Sequence, residues 1–289
     1  MVSNTIQCGF ESHPGHNHIL KAKFVSTQCQ TWHMYESAIR HQVTALIDEG
    51  YSLRSISKST GIARSTLRDW RDHREQVAAR RVPCPRCDIP PSLPAPGASY
   101  AYLLGLYLGD GCISRAGDRR KNVWVLRIMC ADAWPGLQDE CKEAMRSMRP
   151  DNAVWVRQKD GCVEIRSCSK HWPCLFPQHG PGRKHSRTIK LESWQQEIVA
   201  EHAGRFARGL FHSDGCRFTN HVRRTLADGD RWYEYPRYLF VNHSTDILRL
   251  CGEALDELGV AWRFSKPTTI SVARREAVAR LDEFVGPKY

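Results

Sequence analysis

Two short stretches of this chain end an apolar run on an aspartate, and both are built on the same plan. Leu103-Leu104-Gly105-Leu106-Tyr107-Leu108-Gly109-Asp110-Gly111-Cys112 returns about 100 residues later as Ala207-Arg208-Gly209-Leu210-Phe211-His212-Ser213-Asp214-Gly215-Cys216, the pattern of an internal duplication. Gly105 and Gly109 in the first copy, and Gly209 and Ser213 in the second, stand four apart, so on a helix they form one face with no bulky side chains. Two such faces can meet almost backbone to backbone. Glycine costs a helix interior about 1 kcal/mol relative to alanine, and close packing is what would compensate. That packing would set Asp110 and Asp214 side by side at the C-terminal ends of both helices, where carboxylates repel each other and the negative ends of the helix dipoles. A divalent cation is the simplest relief. Either copy alone reads first as a buried helix closed by an Asp-Gly turn; the repetition at matched positions is what makes the pair a candidate site.

The elements that must position these aspartates also repeat. After the first copy come a strand at 112–114, a basic tip at 115–121, a strand at 124–129, a helix at 134–148, and a hairpin of 154–157 with 163–166 turning at Lys159-Asp160-Gly161. A basic Pro/Gly stretch at 170–190 leads to an amphipathic run at 194–201 and the second copy. Strands at 217–225 and 238–242 around a polar loop follow, then a helix at 246–258 closed by Gly259, a hairpin of 261–264 with 269–273, and a helix at 274–285. Each half is thus predicted as αββαββα in an α+β fold, with two four-stranded saddles related by a pseudo-twofold axis at the motif helices. Strand alternation would leave one saddle face apolar and the other basic. The candidate DNA-facing residues are Arg115, Arg119, Arg120, Lys121, Arg127, Arg157 and Arg166 in the first half, and Arg217, Arg223, Arg224, Arg237, Arg263 and Lys266 in the second.

Both aspartate stretches resemble the LAGLIDADG motif of homing endonucleases, and the resemblance extends over about residues 100 to 289. It implies site-specific cleavage of double-stranded DNA by a monomer. Mg²⁺ or Mn²⁺ would be held by Asp110 and Asp214 together with Gly111 and Gly215, with one aspartate serving each strand. It also implies basic residues that assist the transition state, and Lys170 and Arg275 fall at the matching places. The sixth motif position departs from the namesake, being Leu108 and His212, while the eighth-position aspartate is kept in both copies. A rival reading keeps the fold as a transcription regulator that binds DNA without cutting it; an RNA-splicing maturase is a third.

Residues 34–75 carry three short apolar periods, with Gly50 and Gly61 as stops. The run Ser55-Ile56-Ser57 … Gly61-Ile62-Ala63-Arg64-Ser65-Thr66-Leu67-Arg68-Asp69-Trp70 resembles the helix-turn-helix of resolvase and invertase DNA-binding domains. Its recognition helix would expose Arg64, Ser65, Arg68 and Arg71 while Leu67 and Trp70 pack inward. Residues 1–33 lack periodicity and read as a leader without packed structure. Gly9-Phe10-Glu11-Ser12 can be encoded by bases containing the TTCGAATCC of a tRNA T-arm, so the coding start is expected at or near Met34. Residues 76–99 form a proline-rich linker holding Cys84-Pro85-Arg86-Cys87, half of a zinc site; four ligands are needed and no second CxxC or HxxxH follows, though His73, His33 or Cys29 could complete it. The two halves of the core are bounded at 100–193 and 194–289.

Composition agrees with a polyanionic partner. The 289 residues carry a formal net charge of +11, and arginine outnumbers lysine 31 to 11, which suits bidentate phosphate and guanine contacts. Twelve cysteines at irregular spacing in a chain this large suggest a reducing, cytoplasmic setting, here nucleoid-associated. No run of about 18 apolar residues suggests a membrane partner.

Overall fold

The computed structural model describes residues 37–72, 83–88, 90–117, 122–226 and 229–289. The leader at 1–33, Met34 and the basic tip residues Arg119, Arg120 and Lys121 lie outside the described residues. Two compact units are present, one containing His41–Asp72 and the other the remainder of the chain from residue 73.

The first unit takes α1 (Ser37–Asp48) from His41 onward, then α2 (Leu53–Thr60) and α3 (Arg64–Asp72), which follow one another through tight turns. Ser52 caps α2 by accepting from Ser55 N at 3.1 Å, and α2 ends at Gly61, whose φ of 73° is the left-handed conformation that favours glycine. Val43, Ile56, Ile62, Leu67 and Trp70 are buried and supply the apolar centre on which α2 and α3 pack.

The second unit is α+β and duplicated. Its first half runs α4 (Gly97–Leu108), β1 (Gly111–Arg115), β2 (Trp124–Ala131), α5 (Pro135–Met148), β3 (Val154–Lys159), β4 (Cys162–Ser169) and α6 (Trp172–Leu175). After α7 (Ser193–Glu201) the second half runs α8 (Ala203–Asp214), β5 (Gly215–Leu226), β6 (Gly229–Val241), α9 (Thr245–Glu257), β7 (Arg263–Lys266), β8 (Thr269–Val272) and α10 (Arg275–Asp282). Each half builds one four-stranded antiparallel sheet of the same order, β1-β2-β4-β3 and β5-β6-β8-β7. Every residue of α4 from Tyr100 to Leu108 is buried, the behaviour of a helix apolar all round, and it lies against α8 at the centre of the core. Leu126, Ile128, Val163 and Ile165 of one sheet and Phe240, Ile270 and Val272 of the other face this helical layer. Among the described residues no helix is long and apolar enough to cross a membrane.

The polar loop expected before residue 238 is instead strand. β6 begins at Gly229 and pairs residue for residue with β5, from Gly215↔Phe240 to Leu226↔Gly229. Most of its early side chains are exposed on both faces, so no apolar alternation marks it; ladder hydrogen bonds and cross-strand pairs such as His221 with Glu234, 3.0 Å apart, hold it together.

Candidate active site

The site begins with two backbones in contact. A Cβ on Gly105 would lie 2.6 Å from Phe206 O and 2.8 Å from Gly209 Cα, and one on Gly209 would lie 3.0 Å from Leu106 N. Real side chains do not fit such gaps, so α4 and α8 meet where glycine is required. One turn on, Gly109 faces the Ser213 side chain, and the Asp214 carboxyl carbon is 3.1 Å from where a Cβ on Gly109 would stand. Asp214 therefore sits beside the residue that precedes Asp110. Asp110 ends α4, with its N–H donating to Leu106 O at 3.1 Å, and its carbonyl accepts from Met129 N at 3.4 Å.

Electrostatics reflect that crowding. Burial, and then the charge of Asp110, push the Asp214 carboxyl up to about 6. Asn242 Nδ2 donates to Asp214 Oδ2 at 2.6 Å and opposes the shift; Asn242 Oδ1 accepts from Ser244 N at 2.8 Å, which fixes the amide's orientation. Asp110 is open to solvent on one side, yet the protein packed around its base raises its carboxyl as well, against the pull of Lys184 and Lys288.

These two lysines carry no sequence signal. Lys184 sits in the irregular basic stretch, in a short 3-10 turn, and its ammonium donates to the carbonyls of Tyr107 (2.6 Å), Leu108 (2.8 Å) and Gly109, the orphan acceptors at the negative end of α4. Burial brings Lys184 down to about 8, although both aspartates favour its charged form. Lys288 donates to Gly215 O at 2.7 Å, so that carbonyl is already engaged, and burial lowers its ammonium too. Gly111 opens β1 opposite Ile128. Lys170 follows β4, and Arg275 opens α10 on the surface. A cleft of about 290 Å³ beside the end of α4 is lined by Gly111, Cys112, Arg183, Lys184 and Arg187 among others.

The sixth motif position is structural in the second copy. His212 is buried, with Nδ1 3.0 Å from the Tyr102 hydroxyl and Nε2 3.2 Å from Val285 O. Burial drops its pKa to about 4, so the ring is neutral; Tyr102 donates to Nδ1 and Nε2–H donates to Val285.

Register sorts the arginines by face. Cross-strand partners share a face, and Cys112↔Arg127↔Arg166↔Trp155 form one row on the side turned away from the helices, with Arg157 two residues along β3 from Trp155. Glu164, almost fully buried on that same face, gathers Lys159 at 2.7 Å, Arg127 at 3.6 Å and Arg166 at 3.9 Å, which holds its carboxyl below the usual range. In the second sheet Arg224, Arg237, Arg263 and Lys266 fall on the corresponding face. Arg115, Arg217 and Arg223 do not. Arg115 aligns with the helix-side residues and stacks on Trp124 at 4.9 Å; Arg217 pairs with Asp282 of α10 at 2.8 Å; Arg223 lies on the same side as Arg217 and pairs with Asp230. One residue of register decides the face, and the sequence alone does not fix it. In the helical unit Arg64, Ser65, Arg68 and Arg71 are exposed, with Arg71 2.7 Å from Asp72.

Cys84 and Cys87 meet partners other than the expected ones. His73, His33 and Cys29 lie outside the described residues. His171 and Cys174, on the far side of the first half in sequence, join the two cysteines in one cluster.

No protein-family model matches the chain, and no curated protein does. Among solved structures, mesophilic variants of the homing endonuclease I-DmoI align over 65% of this chain and 89% of theirs, with TM-score 0.44 and 16% identity. I-DmoI in complex with DNA and Mn aligns over 67% of this chain and 99% of that one, with TM-score 0.43 and 16% identity. The LAGLIDADG meganuclease I-AabMI bound to uncleaved DNA aligns over 64% and 82%, with TM-score 0.40 and 10% identity.

Proposed function

We propose that this chain is a site-specific endonuclease of double-stranded DNA that acts as a monomer through a divalent cation at Asp110 and Asp214. The observation that carries this reading is the meeting of two duplicated helix ends, where the charge of Asp110 helps raise the Asp214 carboxyl to about 6. Two carboxylates that disfavour each other's charge form an oxygen donor set suited to a hard cation such as Mg²⁺ or Mn²⁺. When bound, that cation supplies a water of lowered pKa and stabilises the oxygen leaving the phosphate. Asp110 and Asp214 would hold the metal, one aspartate serving each strand. Asn242 holds the Asp214 carboxylate in place, 2.6 Å away. Lys184, brought down to about 8, neutralises the end of α4 and offers a positive charge to a phosphate in the adjoining cleft. Arg127, Arg157 and Arg166 of one sheet and Arg224, Arg237, Arg263 and Lys266 of the other would take backbone phosphates, and the exposed Arg64, Ser65, Arg68 and Arg71 of α3 would read a major groove.

The test is incubation of the purified protein with randomised duplexes in Mg²⁺, followed by sequencing of the broken ends. Cuts at one recurring site, lost in Asp110→Asn and Asp214→Asn while binding persists, are the expected result. Tight sequence-specific binding by wild type with no cut in either Mg²⁺ or Mn²⁺ would replace the nuclease with a regulator.

A further inference from the structure

We infer that Cys84, Cys87, His171 and Cys174 form a closed, structural Zn²⁺ site that fastens the segment entering the core to the end of the first half. The four ligand atoms lie within 4.8 Å of one another; Cys87 Sγ is 3.2 Å from Cys174 Sγ and 3.4 Å from His171 Nδ1. A tetrahedral ion with Zn–S near 2.3 Å and Zn–N near 2.1 Å requires ligand-to-ligand edges of about 3.5 to 3.8 Å, so the observed spacings bracket what it needs. A disulfide requires sulfurs about 2.05 Å apart, and Cys84, Cys87 and Cys174 are all free thiols.

The ligands arrive on two tight turns far apart in sequence. Cys87 N and Asp88 N donate to Cys84 O at 2.9 and 3.1 Å, which folds Cys84-Pro85-Arg86-Cys87 so that both thiols point one way. Cys174 N donates to His171 O at 3.1 Å, which does the same for His171-Trp172-Pro173-Cys174 at the start of α6. Convergence of two i, i+3 pairs drawn from different ends of the first half is not a consequence of local turn chemistry. The surroundings hold both turns. Arg149, buried beside Asp151, donates to Pro83 O at 3.2 Å; Arg86 lies 4.5 Å over the Trp194 ring and donates to Ser92 O at 3.1 Å; Trp172 Nε1 donates to Ser167 O at 2.9 Å.

The first half has a need that a metal meets. Its last helix, α6, is four residues long, where the matching α10 has eight and is tied to its sheet by Arg217 and Asp282. The entering segment, with Pro83, Pro85, Pro90, Pro91, Pro94 and Pro96, has few backbone donors to anchor itself. Four protein ligands leave no position for water, so the ion would stabilise rather than catalyse. Three sulfurs and one nitrogen select a soft ion, while two carboxylates select a hard one, so this site is separate in chemistry from the aspartate pair and does not rest on the nuclease reading.

The full chain, expressed without added metal, is measured for zinc by mass spectrometry of the intact protein under native conditions and by elemental analysis. One zinc per chain is expected, falling to near zero in Cys87→Ser and Cys174→Ser and unchanged in Cys162→Ser. Because the first two variants could misfold, wild type is also exchanged with Co²⁺, which should give the intense visible bands of a tetrahedral thiolate site, and titrated with a thiol reagent, which should release one zinc. Wild type holding less than about 0.1 zinc per chain, full zinc in Cys87→Ser, or a Cys87–Cys174 disulfide in the native protein would each overturn the assignment.

Discussion

The two halves of the core share strand order but not the means by which each end is closed and each aspartate is held. Register aligns them: Gly111 pairs with Ile128 where Gly215 pairs with Phe240, so the first-half counterpart of Asn242 is Cys130. Asp214 has a carboxamide donor at 2.6 Å, while the matching register position in the first half holds a buried thiol. Lys184 covers three carbonyls at the end of α4, whereas Lys288 reaches one carbonyl beyond α8. The second half ends on an eight-residue helix with an ion pair, the first on four residues and a Cys3His cluster. A duplicated scaffold thus fixes where the carboxylates go, and each half then sets its own electrostatics and its own closure.

That comparison breaks most severely at what the halves share. Gly209→Val and Gly105→Val each drive a side chain into the facing backbone, and each should cost roughly 3 kcal/mol or more in urea unfolding. If the seam is the common scaffold, the two costs should agree; one near zero would mean that the helices do not depend on this crossing.

A smaller effect is expected where the halves differ. Asn242→Cys gives the second half the first half's residue and removes a hydrogen bond to a charged group, worth about 1.5 to 3 kcal/mol. The acid limb of the cleavage–pH profile should then rise by about one unit, and an unmoved limb would detach Asn242 from Asp214. The pH dependence of stability sharpens the point further. Asp214's pKa is raised from 3.8 to about 6 in the fold, so the folded state binds more protons than the unfolded one in that window. Its contribution to stability is full below pH 4 and is lost as pH rises through 6. In chelator, Asp214→Asn should therefore gain a few degrees in Tm over wild type between about pH 4 and 7, a gap that added Mg²⁺ should close by stabilising wild type alone. A Tm difference that is flat with pH would contradict the crowded pair.

The smallest effects separate arginines by face. Arg237→Ala should lower the salt slope of DNA binding by about one. Arg217→Ala should leave that slope unchanged, because Arg217 is tied to Asp282 beside α10. Equal slopes would remove the distinction between the two faces.

What the sequence made legible follows the same division. The paired small residues, the aspartates that end each motif and the repeated αββαββα order were readable because spacing and periodicity carry them. The long β5–β6 hairpin was not, since the side chains of its outer part are exposed on both faces and no apolar alternation marks it. Lys184 and Lys288 sit in irregular stretches with no fixed distance from either motif, so only the folded chain brings them to the aspartates. His171 and Cys174 lie 84 or more residues from Cys87 and in a His-x-x-Cys order that a search for a second CxxC passes over. The assignment of Arg115, Arg217 and Arg223 to the basic face failed because a single residue of register reverses it.

The central claim is that Asp110 and Asp214 act as one cation-dependent unit on duplex DNA. Strand scission of a selected duplex in Mg²⁺, followed on denaturing gels for wild type, Asp110→Asn and Asp214→Asn at matched DNA occupancy, tests it most directly. Wild type should cut both strands and each variant should lose about 100-fold or more in rate with its DNA affinity intact; either variant cutting both strands as fast as wild type would contradict the account.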